Sequence, residues 1–189
     1  MEKIVQWTDW DHEGREDCKF VQSEDGIRLE GVVTGTRNST YQAHYLVRTD
    51  ASLHTREVVV EYTNGPKLHI ISDGEGNWKD HATGKPLPSL QGCFDVDIGV
   101  TPATNTLPIK RLGLRKGQSQ DITVCYVPLP SQIEGEFAAQ RAEQRYTCVE
   151  QDRSYLYEGI FRNFQAVLEV DESGLVIDYP GTFRRMSTI

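Results

Sequence analysis

Asp95 and Asp97 stand two residues apart among alternating apolar positions, Phe94, Val96 and Ile98, and are followed by Thr104, Asn105 and Arg111. On a strand, positions i and i+2 face the same side, about 6 to 7 Å apart. Two carboxylates buried so close raise at least one pKa, the arrangement that acid and base catalysis uses. Arg111 adds a fixed fork of donors able to hold a carboxylate, a phosphate or sugar hydroxyls. The same groups can instead neutralise one another, Asp95 and Asp97 against Lys110 and Arg111 on a neighbouring strand, with Arg111 locked to Asp97. No nucleophile elbow, phosphate-cradling glycine loop or His-Glu-x-x-His is present. His12, His44, His54, His69 and His81 show no ligand spacing, so no catalytic residue, metal site or cofactor is expected.

The elements that position these groups read as β. Residues 93–99 and 108–114 alternate as strands around a proline-punctuated stretch, 101–108, expected to be a rigid, non-helical crossover. Strands are also expected at 57–62, 67–72, 121–127, 164–170 and 175–179, with hairpins at Asp25-Gly26 and Asn64-Gly65. Residues 1–17, with Trp7 and Trp10, form an edge strand or a cover over an opening. The one helix is expected over 132–146, where Glu-Phe-Ala-Ala-Gln-Arg-Ala-Glu-Gln-Arg is rich in helix formers. Strand, acidic glycine turn and strand recur at 68–78 and 164–179, as an internal duplication would leave them. Trp78, Tyr155, Tyr157 and Tyr179 either line an apolar cavity or pack a core.

The run GCFDVDIGVTPATNTLPIKRL at 92–112, with RYT at 145–147, SYLYE at 154–158 and VDESGLVIDYPGTFRR at 170–185, resembles the Putative glycolipid-binding family of bacterial proteins. The resemblance covers almost the whole chain. It implies a twisted antiparallel half-barrel similar to lipoprotein-carrier folds, wrapped around an apolar cavity. A lipid or glycolipid would lay its acyl chain in the concave face, against residues such as Val60, Ile70, Val124 and Leu168. Its head group would meet Asp95, Asp97, Thr104, Asn105 and Arg111. The alternatives are a small hydrolase or isomerase using Asp95 and Asp97, and an interaction module forming a homodimer through its sheet edges.

At 189 residues the chain fits one domain spanning 1–189. A net charge of −8 without a basic patch argues against nucleic acid or anionic membrane as a partner. No window reaches the length of a membrane span. Cys18, Cys93, Cys125 and Cys148 are scattered, and acidic residues crowd the first seventeen positions where a signal peptide would be apolar, so reduced thiols and a cytoplasmic location are expected.

Overall fold

The computed structural model describes residues 1–186. The first half of the chain forms β1 (Glu2–Asp9), β2 (Arg15–Ser23), β3 (Gly26–Gly35), β4 (Tyr41–Thr49), β5 (Thr55–Tyr62), β6 (Lys67–Ser72) and β7 (Trp78–Asp80). The second half forms β8 (Asp95–Ile98), α1 (Thr106–Leu112), β9 (Ser119–Val127), β10 (Gln140–Glu150), β11 (Ser154–Gly159), β12 (Phe164–Val170), β13 (Val176–Tyr179) and β14 (Phe183–Arg185). All fourteen strands belong to one curled, unclosed sheet of order β7-β6-β5-β4-β3-β2-β1-β14-β13-β12-β11-β10-β9-β8. The chain is therefore mainly β, a half-barrel with one short α-helix. Both edge strands are short, which limits pairing with another chain.

Three local expectations are corrected. Residues 1–17 are no edge: β1 lies between β2 and β14 and joins the halves, with Val5 opposite Cys18 and Trp7 opposite Arg185. Trp7 is fully buried and donates its indole N–H to the Val176 carbonyl at 2.8 Å. The stretch expected as a crossover and a strand, 101–114, holds a 3-10 turn at Ala103–Asn105 running into α1. β8 and β9 are the one parallel pair among the described strands, and a parallel neighbour needs a crossover of a dozen or more residues, typically helical. Pro108 sits in the first turn of α1, where its missing N–H would have no partner anyway, and Gly113 ends the helix at φ 54°.

The helix expected over 132–146 is absent: 133–139 are irregular and 140–146 belong to strand β10. Ala142, Gln144, Tyr146 and Cys148 face inward while Arg141 and Glu143 face out, a period of two that pairing with β9 and β11 enforces over the helix propensity of the residue types. The echo between 68–78 and 164–179 resolves into shared turn chemistry. Asp73 Oδ1 accepts the N–H groups of Glu75 and Asn77 at 2.7 and 3.1 Å, and Asp171 Oδ1 those of Ser173 and Leu175 at 2.8 and 3.1 Å. Asp50 makes the same pair of bonds to Ser52 and His54, so the pattern follows from what this turn requires.

The hollow of the curled sheet is filled by its own central segment. Leu90, Cys93, Val96, Ile98, Ala103 and Leu107 pack with Tyr45, Val47, Val58, Val60 and Ile70 of the first half. Ile109, Leu112 and Leu114 pack with Tyr146, Tyr155, Tyr157 and Leu168 of the second. Val60, Ile70, Val124 and Leu168 are fully buried and belong to three separate clusters, so they line no open slot among the described residues.

Candidate ligand-binding site

Because the strands alternate in direction, the C-terminal ends of β3, β8, β9, β11 and β13 and the N-terminal ends of β12 and β14 gather at one end of the half-barrel. A cavity of about 250 Å³ opens there, lined by Arg37, Asp97, Ile98, Gly99, Thr101, Asn105, Tyr126, Tyr157, Gly159, Arg162, Phe164, Tyr179, Thr182 and Phe183. One wall is aromatic. Tyr157 and Tyr179 meet nearly edge to face with ring centres 5.9 Å apart, and Tyr179 meets Phe183 at 6.1 Å and Phe164 at 6.0 Å. Gly99 belongs in this wall because a Cβ there would lie 2.8 Å from the Tyr126 hydroxyl.

Asp97 is the one carboxylate lining the cavity. Its Oδ2 accepts the side-chain N–H of Gln144 at 2.7 Å, and the same amide nitrogen reaches the Tyr157 hydroxyl at 3.1 Å. Burial raises the Asp97 pKa, while the Gln144 hydrogen bond and the charges of Arg162 and Arg37 pull it the other way. Burial pushes the Tyr126 phenol up to about 12, and holds Tyr157 and Tyr179 well above the ordinary phenol range, so all three remain hydroxyl donors at neutral pH. Arg37 donates to the Gly99 carbonyl at 2.8 Å and lies over the Phe183 ring at 4.8 Å. Arg162 lies over Tyr126 at 4.1 Å and donates to Gln132 Oε1 at 3.0 Å. Asn105 turns its Oδ1 to the buried Tyr146 hydroxyl at 2.8 Å. The cavity thus offers a carboxylate, guanidinium groups, phenols and flat apolar faces, the set that binds polyhydroxylated rings.

Of the residues singled out in the sequence, the structure brings Asp97, Asn105, Tyr157 and Tyr179 together at this cavity. Asp95 and Arg111 form a separate, buried ion pair. Arg111 Nη2–H meets Asp95 Oδ2 at 2.6 Å and Nε–H meets Oδ1 at 3.1 Å, so the partner of Arg111 is Asp95 rather than Asp97. The outer side of Arg111 borders a wider, more polar groove of about 580 Å³ with Phe94, Leu112 and residues 120–123. Thr104 is buried, its hydroxyl accepting the Ile98 N–H at 3.3 Å. Trp78 is core, donating to the Cys93 carbonyl at 2.9 Å. Tyr155 borders a cavity at the opposite end, with Lys110 and Gly174.

Sequence reasoning missed Arg37, Tyr126, Gln144, Arg162, Phe164 and Phe183. Arg37 and Arg162 lie in connections, where no periodicity marks a face. Gln144 was hidden by the helical reading of 132–146, although its inward phase with Ala142 and Tyr146 was available as a signal. Behind the cavity lies a further buried acid. Glu16 Oε1 accepts the hydroxyls of Tyr45 at 2.5 Å and Thr101 at 2.6 Å, and burial raises the Glu16 pKa to about 8.

Among the described residues, no helix is long and apolar enough to cross a membrane. The model of the family described as Putative glycolipid-binding matches residues 4–185. A DUF1089 family protein from Pseudomonas aeruginosa, solved by crystallography, is 40% identical to this chain, with 92% of each chain covered and a TM-score of 0.76. No curated protein is significantly similar. With all but the first residues of β1 inside the matched span, the chain belongs to the Putative glycolipid-binding family.

Proposed function

We propose that this protein binds, without chemical turnover, the head group of an amphipathic glycolipid in the cavity around Asp97. The observation that carries this reading is the junction of that cavity with an exposed apolar rim. Ile160 and Phe161, on the connection between β11 and β12, and Phe164, the first residue of β12, are 46%, 42% and 39% exposed beside Arg162. A sugar ring enters among Asp97, Asn105 and the tyrosines while an acyl chain lies along this rim, since the hollow of the sheet is filled. The cavity is smaller than the ~300–1,000 Å³ typical of drug-sized ligands, which suits one head group and excludes a whole lipid.

Catalysis by a carboxylate pair is the weaker reading, because Asp95 is buried against Arg111 while Asp97 alone faces the cavity. All four cysteines are buried and free, which suits a protein working in a reducing cytoplasm. Calorimetric titration with octyl β-glucoside below its micelle concentration, beside glucose, tests the proposal. The amphiphile is expected to bind more tightly than the free sugar. Asp97→Asn, which preserves an acceptor for Gln144, is expected to weaken it by ~1.5–3 kcal/mol, about ten- to a hundredfold. Absence of binding, or unchanged affinity in the variant, refutes the reading.

A further inference from the structure

The arginines of this chain are, as a rule, held by carboxylates: Arg111 by Asp95, Arg145 by Asp121, Arg184 by Asp178 and Arg185 by Asp171. With 28 acidic against 20 basic residues, acidic partners are abundant. Arg37, Arg115, Arg141 and Arg162 depart from this pattern, and of these Arg37 and Arg162 line the Asp97 cavity. Among the described residues, no carboxylate oxygen comes within 4.0 Å of either guanidinium. Each instead donates to a neutral oxygen, Gly99 O for Arg37 and Gln132 Oε1 for Arg162, and lies over an aromatic ring. Such contacts orient a guanidinium and leave its charge uncancelled.

From this we infer that the cavity selects an anionic head group, a sugar acid or a phosphorylated sugar, held by Arg37 and Arg162 through its charged group and by Asp97 through a ring hydroxyl. The inference rests on the head-group reading above and narrows its ligand class. Geometry supports it in two ways. Both guanidinium groups line the same cavity as Asp97, so they converge on one space, yet neither comes within 4.0 Å of its carboxylate. An anion in that gap receives N–H donors already aimed, and charge-assisted bonds of this kind are about twice as strong as neutral ones. Were the arginines there only to neutralise Asp97, direct contact would serve better than a separation of more than 4.0 Å.

Octyl β-glucuronide and octyl β-glucoside share one tail and differ by a carboxylate, so titrating both below micelle formation isolates the charge. The glucuronide is expected to bind at least tenfold more tightly. Arg162→Gln, at an exposed position, is expected to bring the glucuronide to within about twofold of the glucoside in the same variant, a severalfold larger loss for the glucuronide than for the glucoside. Arg37→Gln is expected to do the same. Equal affinity of the wild type for both amphiphiles, or equal losses for both in the variants, overturns the anion inference and leaves the head-group reading standing. Binding of neither overturns both. Free glucuronate or inorganic phosphate binding as tightly as octyl glucuronide, with the same loss in Arg162→Gln, upholds the anion site and overturns its assignment to a lipid.

Discussion

Deleting the Arg111 guanidinium isolates what the central motif does for folding. Two of its N–H groups hold the two oxygens of Asp95, whose side chain is 1% exposed. Arg111→Ala strands that carboxylate in a site where burial already raises its pKa. Breaking a buried pair by removing one partner costs ~3–5 kcal/mol. The Arg111 side chain is 18% exposed, so water reaches the vacated space from one side and a loss near ~3 kcal/mol is expected. The sign with pH follows from linkage. The folded pKa of Asp95 lies above its unfolded value of about 3.9, so its contribution to stability falls as pH rises through that window. Without Arg111 the folded value climbs further, so the deficit of the variant is expected to be larger at about pH 8 than at about pH 5. Urea melts of both proteins at those two pH values measure it. Asp95→Asn with Arg111→Met removes both charges and is expected to recover most of the loss. A deficit below about 1 kcal/mol at the higher pH, or a double variant as unstable as the single, refutes the reasoning.

Glu16, with a folded pKa near 8 against 4.5 for the free group, contributes stability that is full below 4.5 and declines as pH rises to 8. Glu16→Gln keeps the acceptor for Tyr45 and Thr101 and is expected to flatten this decline, at most ~1.4 kcal/mol per pH unit; melts from pH 5 to 8 with the wild-type slope would count against it. Gly31→Ala places a Cβ less than 3 Å from ring atoms of the fully buried Tyr45 on the neighbouring strand, and is expected to cost ~1–3 kcal/mol in a denaturant melt. Gly113→Ala meets no atom within 4 Å, so its expected cost of ~1–2 kcal/mol comes from the left-handed backbone alone; a neutral result would mean that α1 ends differently. Pro108→Ala, in the first turn of the same helix, should change stability by less than ~1 kcal/mol, and a large loss would remove the account of that proline.

The strand framework was legible where period-two alternation met clear turn chemistry, as at Thr55–Tyr62, Lys67–Ser72 and Phe164–Val170. It failed where residue preference and tertiary pairing disagree. Glu136 to Arg145 are rich in helix formers, yet two neighbouring strands need β10 between them, and the inward phase of Ala142, Gln144 and Tyr146 outweighs propensity. Pro102 and Pro108 read as breakers because a proline's effect depends on its place in a turn, which only the parallel β8–β9 crossover fixes. The candidate site was half legible for a related reason. Asp95 and Asp97 do point the same way, but the end of α1 reaches only Asp95 and leaves Asp97 for the cavity. Arg37, Arg162 and Phe183 are distant in sequence, and strand order alone brings their strand ends together.

Amide chemical-shift mapping with octyl β-glucoside tests the central claim most directly, because the Asp97 cavity, the groove beside Arg111 and the cavity beside Tyr155 each carry their own reporters. Binding at the Asp97 cavity predicts the largest shifts at Gly99, Gly159, Arg162 and Thr182. Shifts confined to Gly113, Asp152 and Gly174 at the opposite end, or to residues 120–123 beside Arg111, would contradict it.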